Sequence, residues 1–115
     1  MLKKLGEIKM QNSVEFSENG RELTAILNGE IDHHLAKEQR ESIDAMLFRK
    51  KPQLLVLDFS AVKFMDSSGI GLIIGRADIA EGLSCKIRVE GLSKNLKKLV
   101  KLSGVEKLKN LTVED

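Results

Sequence analysis

The sequence predicts an α/β fold: a central mixed, largely parallel β-sheet of 4–5 strands with helices packed on it and a hairpin near the amino end. Three observations predict it. Apolar runs at strand length alternate with segments of helical period. The run Gln53-Leu-Leu-Val-Leu-Asp-Phe59 is almost continuously apolar, as suits a central strand. Asn19-Gly20, flanked by short apolar stretches, is a hairpin signal.

Taken in order, residues 1–12 carry no clean period and read as a loose arm. Val14–Phe16 reads as a strand, Ser17-Glu-Asn-Gly20 as the turn and Leu23–Leu27 as the return strand, which Asn28-Gly29-Glu30 should end. A first helix is expected from Asp32 or His33 to about Arg49. Leu35, Ala36, Ile43, Met46 and Leu47 lie on its apolar side, and Lys37/Glu41 and Arg40/Asp44 are spaced for ion pairs on the wet side. Pro52 disfavours helix before it. After the strand at 53–59, a loop over 60–65 leads to Asp66-Ser67-Ser68-Gly69, and a second helix runs to about Ala80, closed by Gly82.

Cys85, Ile87 and Val89 alternate with Lys86, Arg88 and Glu90, the period of a strand with one dry face. Ser93 can cap a third helix over 94–102, with Leu96, Leu99 and Val100 inward, Lys94, Lys97, Lys98 and Lys101 outward, and Gly104 just past its end. Residues 105–113 add a strand or a helix; the residues do not decide which. No repeat or linker divides the chain, so 115 residues read as a single domain.

Composition excludes several functions. Aromatic residues make up 3% of the chain, with no Trp or Tyr, so platforms for nucleobase stacking are missing. Eight Lys or Arg lie between Lys86 and Lys109 against two Glu, which gives that stretch +6 while the whole chain carries +2. A solvated helix face accounts for this charge better than a nucleic-acid interface does. No apolar run approaches the roughly 20 residues of a membrane span, no signal-peptide core follows Met1-Leu-Lys-Lys4, and Cys85 is the only cysteine. A cytoplasmic protein is expected, with no membrane contact.

The stretch from Met65 to Gly75 is the most unusual. It places hydroxyls at the mouth of a helix directly after a buried strand, where backbone N–H groups and the helix dipole favour an anion. Capping alone would explain Asp66, Ser67 and Asp32, but a phosphoserine would use the same free N–H groups. Gly69, Gly71 and Gly75 each cost about 1 kcal/mol against alanine inside a helix. Partner approach and close packing are equal explanations at Gly69, and packing on the sheet is the favoured one at Gly71 and Gly75. His33, His34, Ser67, Asp66 and Asp58 supply the residue types of a hydrolytic triad. The G-x-S-x-G elbow and the Walker A lysine are both absent, however, and adjacent histidines on a helix diverge too far to share a metal. Neither enzyme activity nor a metal or cofactor is expected.

Gly29-Glu-Ile-Asp-His-His34, Phe64-Met-Asp-Ser-Ser-Gly69 and Gly75-Arg76 together resemble the anti-sigma factor antagonists, which belong to the sulfate-transporter and antisigma-antagonist (STAS) domain family. The likeness covers about residues 12–113 and is strongest to the antagonists of the anti-sigma F factor. It implies a STAS-like fold and a phosphorylation switch. The unmodified chain would bind an anti-sigma factor with serine kinase activity and so free a sigma factor. Phosphorylation of Ser67 would abolish binding, and a phosphoserine phosphatase would restore it. Asp32, His33, Asp66, Ser68 and Gly69 would then shape the docking surface. A STAS scaffold subunit without a switch is the alternative. The chain departs from the sporulation members at Ser84-Cys85, where they carry a glycine pair, at Lys94 in place of proline, and at Val100 in place of phenylalanine.

Overall fold

A computed structural model describes residues 13–114; the arm expected over 1–12 lies outside the described residues. Nine elements follow one another: β1 (Val14–Asn19), β2 (Glu22–Ile31), α1 (His33–Lys50), β3 (Leu54–Met65), α2 (Ser67–Gly82), β4 (Lys86–Glu90), α3 (Lys94–Ser103), a 3-10 turn (Val105–Lys107) and β5 (Leu111–Val113). The strands form one sheet in the order β1-β2-β3-β4-β5. β1 is antiparallel to β2 and every other neighbour is parallel.

The hairpin is tighter than expected. Asn19 pairs with Glu22, which leaves Gly20 and Arg21 as a two-residue loop. Gly20, at φ +64, takes the first central position, where glycine suits the type II′ turn that matches strand twist. Two further segments differ from the sequence reading. Asn28-Gly29-Glu30 does not end β2. The strand absorbs it through register shifts at Ile26/Asn28 and Gly29/Glu30, with Gly29 at φ +95. Residues 60–65 are strand rather than loop, because the prolonged β2 supplies backbone partners as far as Ile31↔Met65. Pairing with a neighbouring strand overrides the weak local preference of Ser60 to Lys63.

Strand order and chain order coincide from β2 to β5, and right-handed crossovers then place all three helices on the same side of the sheet. The register agrees. Leu23, Leu55, Ile87 and Leu111 are matched across four strands, as are Ala25, Leu57 and Val89, and all are buried in a single cluster with residues of the helices. The opposite face carries Glu22, Thr24, Asp58, Lys86, Arg88 and Thr112 around the buried Val56.

Each helix has a local start and stop. Asp32 caps α1 by accepting the Leu35 N–H, and Lys51, left-handed at φ 44, closes it by donating to the Leu47 carbonyl. The cap of α3 is Ser93, whose hydroxyl accepts the Leu96 N–H, and Gly104 at φ 80 ends it. Gly82 is the last residue of α2, but the left-handed turn beyond it falls on Ser84 at φ 57. A side chain in the left-handed region is strained there. The undecided segment 105–113 becomes one short 3-10 turn and then a strand. Cys85 is 2% exposed, and burial pushes its thiol up from its ordinary value.

Candidate functional site

Parallel β2 and β3 end side by side, since Ile31 and Met65 are paired. The residue after each is an aspartate that starts a helix. Asp32 Oδ1 accepts the Leu35 N–H at 2.9 Å, and Asp66 Oδ1 accepts the Ser68 N–H at 2.8 Å. The Asp66 N–H in turn donates to the Ile31 carbonyl at 3.2 Å, which ties the two helix mouths together. In an open α/β sheet this carboxyl end is where ligands and partners collect.

The structure brings most of the sequence-selected residues together here. Asp32, His33, Asp66 and Ser67 are exposed, Ser68 is half-buried and Gly69 is buried. Ser67 is the first residue of α2, where backbone N–H groups lack helical acceptors and the positive end of the dipole lies. The Leu35 N–H bond holds the Asp32 carboxyl below its ordinary value, with a smaller contribution from nearby His34. The His33 and His34 rings meet edge to face at 6.0 Å. Among the described residues no group of three or more His, Cys, Asp or Glu could hold a metal ion.

The glycines divide differently from the sequence reading. A Cβ on Gly69 would lie 2.5 Å from Met65 Sδ and 3.1 Å from Met65 Cβ, so a side chain here must displace the buried Met65. At Gly71 and Gly75 a Cβ would meet nothing within 4 Å. Packing therefore does not explain these two; they open the floor of a groove of about 370 Å³ between α1 and α2. His33 and Ser68 stand in its lining, with Arg40 and Arg76 further along.

Arg40 and Gln39 escaped the functional reading of the sequence, and Arg76 entered it only as part of the Gly75-Arg76 motif. The expected Arg40/Asp44 pair does not form. Asp44 Oδ1 instead lies 2.7 Å from Arg76 Nε on the other helix, an ion-pair contact poorly aligned for a hydrogen bond. Arg76 is 5% exposed and also donates to the Leu72 carbonyl at 3.4 Å. Burial raises the Asp44 carboxyl even against the pull of Arg76 and Arg40, and lowers Arg76. The i,i+4 spacing of Gly71 and Gly75, with Arg76 next in sequence, was the available signal for this groove.

Elsewhere, Lys94, Lys98 and Lys101 of α3 are exposed and Lys97 is half-buried. Phe64, just before the site, is 55% exposed. No helix among the described residues is long and apolar enough to cross a membrane.

Comparison with known proteins adds a family to this geometry. The STAS domain model matches residues 13–114. The chain is 29% identical over 99 residues to the anti-sigma F factor antagonist of Paenibacillus polymyxa, covering 86% of this chain and 85% of that one. It is 33% identical over 79 residues to the anti-sigma F factor antagonist of Lysinibacillus sphaericus, covering 69% and 68%. Among solved structures it resembles the anti-sigma factor antagonist SpoIIAA in its unphosphorylated form, with a TM-score of 0.74 and 25% identity over 89% of this chain and 88% of that one.

Proposed function

The chain belongs to the STAS domain family, and on that premise we propose that it is an anti-sigma factor antagonist switched by phosphorylation. The unmodified chain binds an anti-sigma factor that is also a serine kinase, and the sigma factor is released. Ser67 receives the phosphate, a phosphoserine phosphatase removes it, and the exchange takes place in the cytoplasm. Asp32, His33, Asp66, Ser68 and Gly69 form or support the docking surface. The chain contributes binding and a phosphate acceptor, and the partners contribute the catalysis.

One observation carries this reading: an exposed serine opens α2 beside two aspartate caps that the Ile31–Asp66 hydrogen bond holds together. A phosphate there adds about −1.5 to −2 charges to a surface that already bears two carboxylates. About 1.4 kcal/mol of lost interaction weakens binding tenfold. Repulsion, desolvation and bulk at a close-packed interface exceed that without any change of fold.

The test is to incubate the chain with the anti-sigma factor kinase and ATP, weigh the intact product and map the modified peptide. One added phosphate on Ser67, with loss of affinity for the kinase, is the expected result. Undiminished binding by fully phosphorylated protein would reject the reading.

A further inference from the structure

We propose that the groove between α1 and α2 receives a carboxylate side chain of the anti-sigma factor. This inference rests on the reading above and extends it to a specific contact. The groove is continuous with the phosphorylation site: its lining includes Ser68, next to Ser67, and His33, next to Asp32. A partner that covers the two helix mouths therefore covers the groove entrance as well. From there the groove runs along both helices, past Gly71 and Gly75 on α2 and toward Arg40 on α1.

Charge selects the occupant. Asp32 and Asp66 are exposed and lie outside the groove lining. The lining holds two guanidinium groups, the exposed Arg40 and the buried Arg76, near one carboxylate, Asp44. Among the described residues the partners of Arg76 are Asp44 Oδ1 and the Leu72 carbonyl. A guanidinium has five N–H donors, so it keeps donors beyond those two. Arg40 is exposed and forms no ion pair among the described residues. A planar carboxylate suits such a fork of donors. The open positions at Gly71 and Gly75 let a partner segment lie close enough for a short acidic side chain to reach them.

This arrangement gives the phosphate a second means of expelling the partner. A dianion on Ser67 would stand at the groove entrance, in the path of the incoming carboxylate, and repel it.

The test compares the affinity of the full chain and three variants for the anti-sigma factor kinase by calorimetry. Arg40→Glu reverses the exposed charge. Gly75→Leu fills the groove without a steric conflict at Cβ. Gly82→Leu is the control, since Gly82 also lies on α2 with open space around it but outside the groove lining. Arg40→Glu and Gly75→Leu are expected to weaken binding at least tenfold, and Gly82→Leu to leave it unchanged. Thermal unfolding of Gly75→Leu should be no lower than that of the parent, which separates a blocked groove from a damaged fold. If Arg40→Glu and Gly75→Leu bind as tightly as the parent, the groove contact is wrong and the switch stands. If the parent chain itself neither binds the kinase nor accepts phosphate on Ser67, both are overturned.

Discussion

Asp44 on α1 and Arg76 on α2 are in ion-pair contact at 2.7 Å, and their burial is unequal: the Arg76 side chain is 6% exposed and that of Asp44 26%. The inequality decides which truncation costs more. Asp44→Ala strands a charge inside the protein, whereas Arg76→Met keeps most of the packed volume and strands a carboxylate that water can reach. Removing one partner of a buried pair costs about 3–5 kcal/mol when the orphan stays buried. Asp44→Ala is therefore expected near 3 kcal/mol, and Arg76→Met at about half that or less. Urea midpoints of the two variants would settle the order, and the reverse order would contradict this picture of the helix contact.

The glycines of α2 should respond in opposite directions. Gly71→Ala and Gly75→Ala add a methyl group to open space and should each stabilise by about 0.5–1 kcal/mol through helix propensity. Gly69→Ala forces Met65 to move and should destabilise by about 1–3 kcal/mol. Thermal unfolding of the three single variants gives the signs directly.

Gln39 is fully buried on the apolar side of α1. Its Nε2 donates to the carbonyls of Ser13 and Asn28, each at 3.0 Å. It thereby joins the start of β1 to the bulged part of β2 through one side chain. Gln39→Leu has a similar volume but leaves both carbonyls without that donor, and should cost about 1–3 kcal/mol. A variant as stable as the parent would mean that the side chain matters only as volume.

Acid should act through the cap of α1. The Leu35 N–H holds the Asp32 carboxyl below its ordinary value, so the folded chain gives up this proton more readily than the unfolded one. The stabilisation is present in full above the unfolded value of about 3.9 and is lost as pH falls through the lower folded value. Asp32→Asn retains a capping oxygen but cannot titrate. The stability advantage of the parent over Asp32→Asn should hold near neutrality and shrink below about pH 4. An advantage independent of pH would show that charge plays no part in the cap.

Much of this was legible in the residues. Ser93 and Gly104 bounded α3, and Asp32 and Asp66 marked two helix starts, because caps are local signals. The STAS-like architecture and the antagonist family followed from the Asp32-His33 and Asp66-Ser67-Ser68-Gly69 segments. The misread parts depend on distant neighbours. Residues 60–65 became strand only because β2 continues past its bulges to meet them. Gly71 and Gly75 looked like packing positions because one-dimensional spacing does not reveal that α1 leaves a gap there. Arg40 looked like the partner of Asp44 until α2 brought Arg76 closer.

Cys85 offers a practical consequence. A lone thiol, shielded from solvent and disfavoured as thiolate by burial, reacts with an alkylating reagent only when the surrounding structure opens. Each molecule can take up a single mass tag, so the rate of tagging reports how often the structure around Cys85 opens. Any ligand that binds only the closed form must slow that rate in proportion to its occupancy.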